Sequence, residues 1–211
     1  MPASLVRLYK ALADRGMLVG SSGNVSRRHG AGMLITPTGC NAETLAPGQI
    51  VAMTLGGAVD GPIRPSSEWE LHAAIYAADP SAQVIAHTHS DHATALACLN
   101  RPLPAFHYNV AEFGGEDVRC APYATFGTPA LAKFATDAIA GRTACLLANH
   151  GMICHEADVE SCLSAAVRLE ALCRQYLLAC AAGQPRLLSR AEMAAALQRY
   201  ASYGQQKDPA A

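Results

Sequence analysis

Two histidines one residue apart, His87 and His89, close the apolar run Gln83-Val84-Ile85-Ala86-His87-Thr88-His89. Residues two apart in a strand share a face, so both imidazoles point the same way. A pair of imidazoles held side by side suits a divalent cation, zinc first among them. An H-x-H pair also fits two histidines hydrogen-bonded in a polar crevice, so the reading turns on further ligands elsewhere in the chain. His150 follows a second apolar run over 144–148, and Glu68 stands at the start of a helical pattern. Three histidines with an open position describe a catalytic zinc site, whereas a structural site is closed by four protein ligands. A carboxylate beside such a site is the natural general base.

These groups must be delivered by regular elements. Leu5, Leu8, Leu12 and Met17 give a helical spacing that stops near Gly16. Residues 25–28 and 33–36 read as two strands joined by Gly30-Ala31-Gly32, and 50–55 with 58–63 as another pair around Gly56-Gly57. Pro65-Ser66-Ser67-Glu68 has the composition of a helix start, with serine caps and an acid in the first turn. That helix runs through Leu71 and Ile75 and ends before Pro80. Ser90 is the expected cap of a helix over 93–99. Residues 102–128 are loop-rich, and a long irregular stretch in a compact domain is often functional. A helix over 129–140, strands over 144–148 and 152–154, a long helix capped by Asp158 and a last helix from Ser189 to Tyr203-Gly204 complete the pattern. Hairpin strands with separately grouped helices predict an α/β fold, a mixed sheet with helices packed against it.

The 211 residues can bury a real core, and the absence of repeats or linkers points to one domain over 1–204, with 205–211 as a disordered tail. A net charge of −1 and scattered lysines and arginines argue against a nucleic-acid binder. No apolar stretch reaches the ~18 residues of a membrane span. The first residues lack the order of a signal peptide, so a cytoplasmic protein is expected. Its eight cysteines include no C-x-x-C pair and read as reduced, packing thiols.

Five motifs then occur in order: Gly23-Asn24-Val25-Ser26, Leu34-Ile35-Thr36-Pro37-Thr38-Gly39, Pro65-Ser66-Ser67-Glu68, His87-Thr88-His89 and Asn149-His150-Gly151. Together they resemble the class II aldolase/adducin family. His107-Tyr108, Ala121-Pro122-Tyr123-Ala124-Thr125-Phe126-Gly127 and Ser202-Tyr203-Gly204 are most similar to its branch acting on L-fuculose 1-phosphate. The resemblance implies a single α/β domain with a central, mostly antiparallel sheet flanked by helices in three layers. It also implies a homotetramer with active sites at subunit interfaces. By similarity His87, His89 and His150 bind Zn²⁺, with Co²⁺ or Mn²⁺ as alternatives, and Glu68 either ligates the metal or moves the substrate proton. Gly23, Asn24, Thr38, Gly39, Ser66 and Ser67 would hold the substrate phosphate. Their chemistry agrees, since turn amides, hydroxyls and a helix N-terminus bind anions without lysine or arginine.

The implied reaction is cleavage of a ketose 1-phosphate to dihydroxyacetone phosphate and a short aldehyde, through a metal-stabilised enediolate. Tyr108, from a neighbouring subunit, would serve the aldehyde oxygen. Tyr203 would be a second contact, and Phe126 a wall of the aldehyde pocket. L-Fuculose 1-phosphate and 5-deoxy- or 5-methylthio-ribulose 1-phosphate all fit, and Glu112 departs from the small apolar residue of the fuculose branch. L-Ribulose-5-phosphate 4-epimerase, or a decarboxylase or dehydratase of the same family, is the alternative chemistry. An adducin-like scaffold should have lost the ligands that this chain keeps. His29, His92, His107 and His155 are not expected to bind metal, and His72, one turn past Glu68, either packs in the core or orients the carboxylate.

Overall fold

The computed structural model describes residues 1–200, so Tyr203 and the tail 205–211 lie outside the described residues. In chain order the elements are α1 (Pro2–Ala13), β1 (Asn24–His29), β2 (Gly32–Ile35), β3 (Val51–Thr54), β4 (Val59–Asp60) and α2 (Trp69–Ala78). β5 (Val84–Thr88), α3 (Asp91–Cys98), β6 (Cys120–Ala121), α4 (Pro129–Ile139) and β7 (Ala144–Leu147) follow, then β8 (Gly151–Glu156), α5 (Val159–Ala182) and α6 (Arg190–Tyr200). The eight strands form one sheet in the order β4-β3-β2-β1-β5-β8-β7-β6. Every pairing is antiparallel except that of β6 with β7.

The strand alternation divides the core between the two faces. Val84 and Ala86 of β5 join a cluster built on α1, α3 and α5, whereas Ile85 joins a second cluster with α2 and α4. Burying one such branched side chain is worth roughly 1.5–3 kcal/mol, so a one-residue slip of register would forfeit both faces of β5 at once. This parity puts His87 on the Ile85 side, the side to which α2 brings Glu68. The expected three-layer arrangement, helices on both sides of a mostly antiparallel sheet, is the observed one.

Some local expectations are corrected. The strand expected over 58–63 is confined to Val59–Asp60, because Gly61-Pro62 follows and proline has no N–H for a ladder. The serines before α2 do not cap it as expected. Glu68 occupies the N-cap position without a side-chain cap bond, and Ser66 Oγ instead accepts from the Glu68 N–H at 3.3 Å. Ser90 likewise makes no cap bond to α3. Glu170 of α5 replaces it, accepting from the N–H groups of His92 and Ala93 at 3.0 and 2.9 Å. Asp158 does cap α5, accepting from Ser161 N–H at 2.8 Å. The irregular 102–128 stretch holds a 3₁₀ turn over Tyr108–Phe113 and the short β6. All eight cysteines are free thiols.

Candidate active site

β5, the turn after β7 and the N-terminus of α2 converge at one end of the sheet. Thr88 pairs with Met152 and His87 with Ile153, so β8 runs directly beside the histidine strand and His150 enters from its start. The three imidazoles stand nearly perpendicular to one another, with interplanar angles of 72°, 76° and 75° and ring centroids 4.7–4.9 Å apart. Glu68 completes the group. Its Oε2 lies 3.1 Å from His87 Nε2 and its Oε1 3.3 Å from His150 Nε2, while His87 Nε2 is 3.0 Å from His89 Nε2. One potential ligand atom from each of the four residues lies within 4.8 Å of the others.

These residues fit a divalent cation. Four ligands ~2.0–2.1 Å from a common centre have tetrahedral edges of about 3.3 Å, close to the three separations just given. Glu68 Oε1 is a buried oxygen with no hydrogen-bond donor, the group a cation would satisfy. His87 Nδ1 donates to the carbonyl of Met152 at 2.9 Å, so the neutral ring presents its Nε2 lone pair toward Glu68. His89 and His150 are each held down to about 4, by burial first and by the neighbouring His87 second. Both are therefore neutral at pH 7, the form that ligates. Burial also works against a charge on His87, but the Glu68 carboxylate outweighs it and raises that histidine. Burial would push the Glu68 carboxyl up. His87, His150 and the Asn24 amide overcome this and hold it far below the usual carboxylate range.

Above the cluster opens a cavity of about 450 Å³. Gly23, Asn24, Thr38, Gly39, Ser66, Ser67 and Phe126 line it together with Glu68, His89 and His150. The sequence-derived phosphate and metal residues are thus brought to one place, with His87 buried beneath them. No lysine or arginine is among the described lining residues, and the wall is made of hydroxyls and turn amides. Gly23 is required there. Its φ is +74°, and a Cβ would meet the carbonyl oxygen of His87 at 2.7 Å. Asn24 reaches the cavity floor with its side chain engaged, Nδ2 donating to Glu68 Oε2 at 3.0 Å.

Tyr108 is not in this cavity. It is half exposed, stacked between His107 and Tyr200, and lines a separate cleft with Glu112 and Arg168. Glu112 forms an ion pair with Arg168. His92 pairs with Glu170 and His155 lies 3.5 Å from Asp79, and neither belongs to the cluster. His107 Nδ1 accepts from Asn109 N–H. Among the lining residues to which the sequence assigned no role are Tyr123 and Asn149. Asn149 sits at φ +55° immediately before His150, and the Asn-His-Gly turn was its only signal.

Known proteins resemble the chain over most of its length. The model of the Class II Aldolase and Adducin N-terminal domain matches residues 3–177. A 5-methylthioribulose-1-phosphate/5-deoxyribulose-1-phosphate aldolase of Rhodospirillum rubrum is 43% identical over 211 residues, covering 97% of this chain and 96% of its own. An L-fuculose phosphate aldolase of Escherichia coli O6:H1 is 43% identical over 190 residues, covering 90% and 88%. Among solved structures, an L-fuculose 1-phosphate aldolase superposes with a TM-score of 0.91 at 36% identity, covering 95% of each chain.

Proposed function

The chain belongs to the class II aldolase and adducin family, and from that premise we propose how its residues carry out aldol cleavage. It is a metal-dependent aldehyde-lyase that splits a ketose 1-phosphate into dihydroxyacetone phosphate and a short aldehyde. The observation that carries this reading is a carboxylate set against three imidazoles at the floor of a cleft walled by hydroxyls and turn amides.

His87, His89, His150 and Glu68 would hold the cation, with Zn²⁺ our assignment and Co²⁺ or Mn²⁺ as substitutes. When bound, the cation supplies a Lewis acid for negative charge developing on the substrate oxygens as the C3–C4 bond breaks. Gly23, Thr38, Gly39, Ser66 and Ser67, with Asn24 beneath them, grip the phosphate and fix C3 beside the carboxylate. The bond's electron pair stays on the C3 side while the C4 hydroxyl gives up its proton and becomes the aldehyde. Glu68, after taking up a proton from solvent, delivers it to C3 to complete dihydroxyacetone phosphate, and removes one in the condensation direction. Its depressed pKa keeps it ionised at rest, the form that removes the C3 proton in condensation.

Tyr108 takes the C4 hydroxyl proton as it passes its own phenolic proton to solvent. It lines a different cleft of its own chain, and we assign it to a site completed by a neighbouring subunit of a cytoplasmic homotetramer. Tyr203, outside the described residues, is assigned a second contact there. Phe126 and Tyr123, both well exposed at the cavity rim, favour an aldehyde with an apolar end. Acetaldehyde or methylthioacetaldehyde, from 5-deoxy- or 5-methylthio-ribulose 1-phosphate, meets that requirement without the hydroxyl that lactaldehyde would set against these rings.

A panel of ketose 1-phosphates with coupled detection of dihydroxyacetone phosphate, run beside L-ribulose 5-phosphate, tests the reading. Release of dihydroxyacetone phosphate, fastest from 5-deoxy- and 5-methylthio-ribulose 1-phosphate, is expected. Epimerisation of L-ribulose 5-phosphate without any cleavage would overturn it.

A further inference from the structure

Behind Glu68 runs a chain of buried polar side chains that leads away from the cleft. Asn24 Nδ2 donates to Glu68 Oε2 at 3.0 Å, and Asn24 Oδ1 is 2.5 Å from His72 Nε2. His72 Nδ1 is 2.6 Å from Ser26 Oγ, which is 2.9 Å from the hydroxyl of Tyr76. None of the four supporting residues is more than 4% exposed, so no bulk water can substitute for a missing partner. The elements explain the alignment. Asn24 and Ser26 lie two apart on β1 and face the same side, while His72 and Tyr76 lie four apart on α2 and form one ridge. Glu68 is one turn earlier on that ridge.

The polarity of the chain is set at its end. A carboxylate only accepts, so Asn24 must turn its NH₂ toward Glu68 and its carbonyl toward His72. The carbonyl only accepts, so His72 carries its proton on Nε2 and leaves Nδ1 to accept from Ser26. Ser26, having spent its one proton, accepts from Tyr76. Every donor therefore points toward Glu68, an arrangement in which successive bonds polarise one another. Burial holds His72 down to about 3, so it stays a neutral ring with one donor and one acceptor.

We propose that His72 is a positioning residue for Glu68, acting through Asn24. Its Nε2–H locks the Asn24 amide in the single orientation that holds the carboxylate against the histidine cluster. This rests on the reading of Glu68 as ligand and acid-base group given above.

The ring nitrogens can be separated by two substitutions. In His72→Gln the side-chain amide reaches the Nε2 position and keeps a donor to Asn24. In His72→Asn it reaches only the Nδ1 position, so Ser26 stays partnered and Asn24 loses its donor. The readouts are Co²⁺ affinity of the metal-stripped protein, inorganic phosphate binding, thermal midpoint, and solvent-proton exchange into dihydroxyacetone phosphate. Loss of a partner that orients a metal ligand typically costs about 10–100-fold in affinity or activity. His72→Asn is expected to lose that much in both Co²⁺ affinity and exchange rate, with inorganic phosphate binding reduced less than either, because Gly23, Thr38, Gly39, Ser66 and Ser67 do not depend on the Asn24 amide. His72→Gln should recover both to within about threefold at a similar thermal midpoint. Equal losses in the two variants, loss only in His72→Gln, or parent-like values in both would overturn the proposal. Wild-type protein without exchange activity would instead overturn the reading of Glu68, while the Co²⁺ affinities would still decide the role of His72.

Discussion

Replacing Gly151 by alanine should cost metal affinity through a backbone contact alone. Gly151 begins β8 immediately after His150, and a Cβ there would meet the carbonyl oxygen of Thr88 at 2.3 Å and His89 Cδ2 at 3.1 Å. Cβ contacts do not persist below 3.0 Å, so β8 and β5 must part by about 0.7 Å at the point where both carry histidines. Metal–ligand distances tolerate about 0.2 Å, and the displacement is over three times larger. Affinity should therefore fall by at least about tenfold, or ~1.4 kcal/mol. Overpacking will also cost about 1–3 kcal/mol of stability, and this must be distinguished from an effect on the site. Gly32 provides the control. Its Cβ would meet the Met53 carbonyl oxygen at 2.2 Å, the same insult between β2 and β3, at the far end of β1 from Asn24. Calorimetric titration of Zn²⁺ into both metal-stripped variants, beside their thermal midpoints, makes the comparison. Comparable destabilisation with affinity lost only in Gly151→Ala is expected. Equal affinity in the two variants would refute the reasoning that strand separation sets the spacing of the ligands.

Glu68→Gln should retain divalent cation binding while solvent-proton exchange into dihydroxyacetone phosphate falls about 10²–10⁴-fold, and undiminished exchange would remove Glu68 as the base. Tyr108→Phe should slow cleavage without loosening inorganic phosphate, and an unchanged rate would move the proton at the aldehyde oxygen to another group. Metal-stripped protein should lose thermal stability as pH falls from about 6.5 toward 4. His72, His89 and His150 are held near 3, 4 and 4 in the fold against an ordinary 6.5, so the unfolded chain takes up their protons first in that window. Glu68, depressed as well, adds to the loss below its ordinary 4.5. His87 has the opposite sign, contributing stability that is lost as pH rises through its raised pKa. A midpoint constant between pH 6.5 and 4 would contradict this assignment.

What could be read from the sequence was whatever a short window encodes. The alternation of Val84, Ile85, Ala86 and His87 gave both the strand and the face of the histidines, because period-two parity is local. The Asp158 cap was legible for the same reason. Ser90 misled because the groups that satisfy α3 come from Glu170, some 80 residues onward in α5. The serines before α2 misled in a more informative way. They suit a cap by type, yet they line the cleft, and the N-cap position falls to Glu68, whose carboxylate is drawn toward the histidines. The support behind Glu68 joins β1 to α2 across 44–50 residues, and no spacing rule connects Asn24 and Ser26 to His72 and Tyr76. Tyr108 matched a motif, but its placement in a different cleft is a property of the folded surface.

The central claim is that a divalent cation held by His87, His89, His150 and Glu68 is indispensable to carbon–carbon cleavage. Exhaustive chelation followed by removal of the chelator, with dihydroxyacetone phosphate release measured before and after stoichiometric Zn²⁺ is returned, tests it most directly. Activity should vanish on stripping and return with the ion, whereas full turnover by the stripped protein would contradict the account.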